Sequence, residues 1–261
     1  MRAAICSDIH GNLPALEAVL EAADEAGAEE LWVVGDLVAH GPHPAQTVRR
    51  IRDLATTRPV HVVRGNTDRY TTTGQLSPFL LGLDPAQHPD KESQVRDSME
   101  AFAWTRLAVE EAGCLDWLAD LPAEIRLTLP DGTGVLLVHA APGTDDGPGL
   151  FAEQSDDELR AAGIAEVGAN GVGLVVAGHT HVPMDRTVDD VRVVNLGSVS
   201  MPVTPDPRAM WTLLAADASG YTLEHHRTAY DLDRVIADLY TAGHPSAGWL
   251  DAKMRRAMSP P

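Results

Sequence analysis

Seven side chains that can bind metal, Asp8, His10, Asp36, Asn66, His139, His179 and His181, fall in five short segments of this chain. The segments are Asp8-Ile9-His10, Gly35-Asp36, Gly65-Asn66, Val138-His139 and Gly178-His179-Thr180-His181. They offer oxygen and imidazole donors and no thiolate, a set that suits Mn²⁺, Fe²⁺, Zn²⁺ or Co²⁺ better than Ca²⁺. Seven donors are too many for one four-coordinate ion and about right for two ions that share a ligand. Two dications about 3.5 Å apart, at an effective dielectric near 20, repel by about 19 kcal/mol, so an anion must lie between them. A carboxylate or a hydroxide can do this. Such a centre supplies a nucleophilic water near neutral pH and clamps phosphoryl oxygens.

Each segment closes a run of β-forming residues, at 3–6, 31–34, 60–63, 135–138 and 172–177. Side chains at the carboxyl ends of parallel strands converge on one crevice, where open α/β sheets bind ligands. Residues 1–66 read strand, helix, strand, helix, strand. The first helix opens at Pro14 and ends before Gly27, with Leu16, Val19 and Leu20 as its apolar stripe. The second runs from Pro44 to Leu54, with Val48, Ile51 and Leu54 inward. This alternation implies a mainly parallel sheet. Residues 69–121 interrupt it. The stretch 70–89, rich in Thr, Gly and Pro, reads as loop; 91–112 and 115–121 read as helices. The whole reads as an insertion that either covers the crevice or mediates self-association. Hairpins follow at 124–138, 184–196 and 210–226, with a short helix from a Ser155 cap and closing helices at 232–241 and 249–258. Two sheet-forming halves stacked face to face fit this order.

The chain has 261 residues and suits one domain, 1–261, carrying a cap-like insertion at 69–121. Its two cysteines, Cys6 and Cys114, make neither a disulfide framework nor a zinc ribbon, which points to a reducing compartment. The amino terminus enters strand at once and no apolar run nears spanning length. The expectation is a soluble cytoplasmic protein. With 38 acidic against 20 basic residues the net charge is −18. That excludes a large nucleic-acid surface but not a small phosphorylated substrate, because bound dications reverse the sign locally.

The same segments carry a family resemblance. Asp8-Ile9-His10-Gly11-Asn12, Gly35-Asp36 with Gly41-Pro42, Gly65-Asn66-Thr67-Asp68, Val138-His139 and Gly178-His179-Thr180-His181 resemble the five blocks of the calcineurin-like metallophosphoesterases. Asn195-Leu196-Gly197-Ser198-Val199 resembles the segment that follows them in the compact bacterial branch. The resemblance implies an α/β fold, a four-layer αββα sandwich of two mixed sheets. It implies Asp8, His10 and His181 around one ion, Asn66, His139 and His179 around the other, and Asp36 between them. The implied activity is dinuclear metal-dependent hydrolysis of a phosphomonoester or phosphodiester through metal-activated water, with Mn, Fe or Zn as the ions. The alternative is a non-catalytic metal-binding scaffold, since the fold also resembles a retromer subunit. Many relatives carry a His after the Asn of the third block, where it assists the leaving group; here that position is Thr67. His40 is the nearest replacement by motif and Arg106 a second.

The remaining residues read more plainly. Asp68 orients a ligand without binding metal. Asn12 is either a substrate contact or a helix cap. Arg64 and Arg69 are solvated charges or phosphate contacts, and Asp145-Asp146 a solvated loop. Cys6 is a small core residue.

Overall fold

The computed structural model describes residues 1–84 and 86–256. In chain order its elements are β1 (Arg2–Cys6), α1 (Leu13–Glu25), β2 (Glu30–Val34), α2 (Pro44–Leu54), β3 (Val60–Val63), α3 (Asn66–Thr73), α4 (Pro78–Gly82), α5 (Lys91–Glu111) and α6 (Leu115–Ala119). Then come β4 (Glu124–Thr128), β5 (Gly134–Val138), α7 (Asp156–Leu159), a π turn (Arg160–Ile164), α8 (Ala165–Ala169), β6 (Val172–Ala177), β7 (Met184–Val188) and β8 (Val191–Asn195). Last are β9 (Ala209–Asp217), β10 (Gly220–Thr228), α9 (Leu232–Thr241) and α10 (Ala247–Arg256). The expected helix at 249–258 is α10, and its final residues, Ala257 and Met258, lie outside the described residues.

Two five-stranded mixed sheets result, in the orders β10-β9-β1-β2-β3 and β4-β5-β6-β8-β7. In the first, β1, β2 and β3 are parallel; in the second, β5, β6 and β8 are. The alternation of side chains along each strand builds the layers. Ala3 and Ile5 of β1 and Trp32 and Val34 of β2 face Val135, Leu137, Leu174 and Val176 of the other sheet. Their neighbours Ala4, Cys6, Leu31 and Val33 face the opposite way, onto α1, α2 and the insertion. On the far side, Leu136, Val138 and Val175 pack against Leu159, Ile164 and Val167. Strands buried on both faces need near-continuous apolar runs, which is why the runs were visible in the sequence. The expected four-layer αββα sandwich is the observed fold.

One expectation is corrected. The stretch 70–89 is not simply loop: α3 runs into it and α4 lies within it. The third hairpin, β9 with β10, is observed as expected. Its strand β9 pairs antiparallel with β1, so the hairpin completes the first sheet. The long insertion helix α5 buries only Ala101, Thr105 and Val109, on the face toward α2 and α3. Among the described residues, no helix is long and apolar enough to cross a membrane. Both cysteines are buried and unbridged.

Candidate metal centre

The register aligns the carboxyl ends of the parallel strands, with Val34 opposite Val63 and Ala177 opposite Asn195. Backbone bonds continue past those ends. Asp8 N donates to Gly35 O at 3.1 Å, His10 N to Asp36 O at 2.9 Å, and Gly178 N to His139 O at 2.9 Å. All seven expected side chains therefore meet at one edge of the two sheets. Ligand atoms of Asp8, His10 and His181 lie within 4.8 Å of one another, and so do those of Asp8, Asp36 and His139. Asp36 spans the two groups, with Oδ2 3.7 Å from His10 Nε2 and Oδ1 3.4 Å from His139 Nε2. Asn66 Oδ1 lies 3.1 Å from His139 Nε2 and 3.0 Å from His179 Nδ1.

The imidazoles are oriented from behind. The Nδ1 atoms of His139 and His181 face the carbonyls of Val34 and Met201, each at 2.8 Å. His10 Nδ1 faces Val38 O at 3.4 Å, and His179 Nε2 faces Gly147 O at 2.8 Å. A carbonyl accepts only, so the nitrogen beside it carries the proton and the other one is turned to the centre, the arrangement that metal-binding histidines need. His10 Nε2 and His181 Nε2 stand 3.1 Å apart, 3.8 Å and 3.1 Å from Asp8 Oδ1. That carboxylate oxygen is buried and has no hydrogen-bond partner. Two imidazole nitrogens converging beside an orphaned carboxylate oxygen make a donor set that fits a divalent metal.

Charge reinforces this reading. Burial favours the neutral acid at Asp8 and Asp36, yet the facing His181 holds Asp8, and His139 and His10 hold Asp36, below the ordinary carboxylate range. Burial works against a charge on His139 as well, but Asp36 and Asp8 raise its pKa to about 10. Without a metal, a proton supplies the positive charge that these carboxylates require. His10 goes the other way, to about 4, because burial outweighs its carboxylate neighbours.

The backbone is bent to deliver these groups. Asp8, His10, Asp36, His179 and His181 all have φ between 50° and 71°. A non-glycine residue in that region costs of order 1–3 kcal/mol, and such residues cluster at functional sites. Gly65 must be glycine for another reason: a Cβ there would collide with the carboxylate and backbone nitrogen of Asp36.

Supporting residues fall partly as expected. Asp68 takes hydrogen bonds from Leu37 N and Gly65 N at 2.9 Å and Val38 N at 3.2 Å, pinning the loop that carries Asp36. Burial, then the Asp36 charge, raises its pKa to about 7. Asn12 is the cap, its Oδ1 accepting from Ala15 N at 3.1 Å. Thr67 is buried, donates its hydroxyl to Val38 O at 3.0 Å and gives its N–H to Asp36 Oδ1 at 2.9 Å. It anchors the Asp36 carboxylate, and its hydroxyl proton is already committed to Val38 O. Arg106 donates to the carbonyls of Thr71 and Thr72, tying down the end of α3. His40 is partly exposed, its ring centroid 5.0 Å from that of His10.

Asp145-Asp146 is not a solvated loop, nor are Arg64 and Arg69 solvated cations. Asp145 is buried and pairs with both arginines at 2.9 Å, while Asp146 pairs with Arg69 at 2.8 Å. Two further positioning residues lie in the segment Asn195-Leu196-Gly197-Ser198-Val199, whose motif the sequence displays without their roles. Asn195 donates to Gly178 O at 2.6 Å and Thr180 Oγ1 at 3.0 Å, shaping the turn that carries His179. Ser198 donates to Asp8 O at 3.0 Å.

The calcineurin-like phosphoesterase superfamily domain matches residues 1–218, and the chain belongs to that superfamily. Phosphodiesterase YfcE of Escherichia coli K12 is 41% identical over 79% of this chain and 84% of its own length. A metallophosphoesterase from Sphaerobacter thermophilus superposes with a TM-score of 0.69 at 27% identity, covering 98% of this chain and 99% of its own. Protein PH1004 from Pyrococcus horikoshii shares the fold, with a TM-score of 0.79 at 20% identity over 97% of both chains. The chain is a metal-dependent phosphoesterase.

Proposed function

We propose that this enzyme hydrolyses a small phosphate ester, mono- or diester, at a centre of two divalent ions of the Mn, Fe or Zn type. The observation that carries the proposal is the set of four imidazoles, each backed by a carbonyl and converging on Asp8, Asp36 and Asn66. Asp8, His10 and His181 would hold one ion, Asn66, His139 and His179 the other, with Asp36 shared. When bound, the ions supply Lewis acidity at the phosphoryl group and activate the attacking water. The chain's own residues do the rest. Asp36, fixed by the Thr67 N–H, balances charge at the middle of the site. Asn66, through its amide N–H groups, orients a substrate oxygen. His40 flanks the site, and burial, then His10 and Lys253, hold its pKa well below the ordinary value. It therefore meets the leaving-group oxygen as a neutral hydrogen-bonding imidazole. The name of the Escherichia coli relative supports including diesters. Residues 69–121 serve as a cap-like insertion within a single domain, reaching the site at Phe102, whose ring lies 6.2 Å from His40.

The test is hydrolysis of an aryl phosphate and a bis-aryl phosphate by metal-stripped protein, before and after Mn²⁺ is returned. Turnover should appear only with metal, at two ions per chain. Asp36→Asn should lower turnover at least about 100-fold and weaken both ions together. Two tightly bound ions with no turnover of either ester would favour the non-catalytic scaffold instead.

A further inference from the structure

The chain contains only two lysines among its 261 residues. Lys91 is committed to structure, donating to Leu81 O at 2.6 Å and Leu83 O at 2.7 Å. Lys253, on α10, is different. Its ammonium sits 4.9 Å from the centroid of the Trp249 ring. That ring lies 6.4 Å from His40, which in turn lies 5.0 Å from His10. Lys253 is half-buried, and among the described residues it has no carboxylate partner. Burial lowers its pKa. Its charge depresses the pKa of both His10 and His40, so it lies within electrostatic reach of the candidate metal centre.

A half-desolvated ammonium backed by a ring face but by no carboxylate is unexpected in a chain with 38 acidic residues available to neutralise it. The position is not a loose end. Leu250 and Met254 on the same helix are buried against Val235, Leu239 and Met201, which fixes α10. Lys253 also lines a small depression with Ser200, Met201 and Tyr230. The Met201 carbonyl in that wall is the one that orients His181. Helix α10 lies beyond residues 1–218, the part matched by the superfamily domain.

We propose that Lys253 is a substrate-binding residue, whose missing counter-anion is a phosphate oxygen of the ester held at the metal centre. This rests on the phosphoesterase reading above and adds to it a specific contact from helix α10. A charge-assisted hydrogen bond of this kind changes binding by about 10- to 100-fold.

The experiment uses the full-length, metal-loaded protein as wild type, Lys253→Met and Lys253→Arg. Inorganic phosphate binding is measured by calorimetry, and kcat and KM with an aryl phosphate. Lys253→Met should weaken phosphate and raise KM by about tenfold or more, with a smaller change in kcat and unchanged metal content. Lys253→Arg, which keeps the charge, should recover most of the affinity. Weakened ester binding with unaltered inorganic phosphate binding would place the contact on the ester's organic part and overturn the phosphate assignment. Phosphate affinity and KM within twofold of wild type in Lys253→Met would overturn the proposal while leaving the enzyme's function intact. Wild type that neither binds phosphate nor turns over ester would overturn both.

Discussion

At the scale of single residues, the centre depends on where protons sit. His139 is squeezed between Asp36 and Asp8, and its pKa near 10 means that the metal-free protein carries a proton on it at neutral pH. A cation taking the Nε2 lone pair must displace that proton. The sign follows: metal binding releases protons, and affinity rises with pH up to about 10, above which His139 is already neutral. Calorimetric titration of stripped protein with Mn²⁺ at pH 7.5, in buffers of different ionisation enthalpy, should show release of about one proton from this group. Heats that do not depend on the buffer would contradict the protonated resting state. The ligands themselves were legible in the sequence, because Asp, His and Asn at strand ends are local signals. The carbonyls behind the rings were not. Val34, Gly147 and Met201 acquire that role only through tertiary approach, and any residue type can offer a carbonyl.

At the scale of elements, the question is what keeps strained loops in place. His179 has φ of 71° and is oriented by Gly147 O, so the loop carrying Gly147 must itself be held. The side chains of Arg64 and of Arg69 on α3 grip Asp145 and Asp146 immediately before it, and Tyr70 OH adds a bond to Asp146. This clamp links the helix that begins with Asn66 to the ring of His179, two donors of the same proposed ion. Asp146→Ala should therefore weaken one of the two ions by about 10- to 100-fold and leave the other nearly unchanged, as read by metal titration at equilibrium. Two ions bound with wild-type affinity would reduce the clamp to loop packing. The sequence concealed this arrangement because the partners are more than 70 residues apart. It concealed α3 as well. Thr-rich residues are weak helix formers, and this helix is held by the Asp68 cap, a left-handed Gly74 at its end and the buried Tyr70. The strands were easy by comparison, since burial on both faces wrote them as apolar runs. The sheet that β9 would join was not written anywhere, because an antiparallel hairpin does not encode which edge it meets.

At the scale of the whole molecule, two fields of opposite sign act on an approaching substrate. The surface carries a net charge of −18, and the loaded centre together with Lys253 is locally positive. They differ in range. The centre lies among buried side chains and is felt within the last several ångströms, whereas the summed surface charge acts from farther out, and salt screens that part first. An enzyme with a basic surface loses substrate capture as salt rises. This one should gain it. For a dianionic aryl phosphate, kcat/KM should rise about two- to threefold between low ionic strength and about 0.15 M of a non-coordinating salt, where the screening length is about 8 Å. A monoanionic bis-aryl phosphate should rise less, because the repulsion scales with its charge. Steady-state rates well below saturation, with metal held constant, measure this directly. A kcat/KM that falls with salt for both esters would show that the positive centre governs approach from a distance as well as contact, and that the acidic surface is arranged away from the mouth of the site.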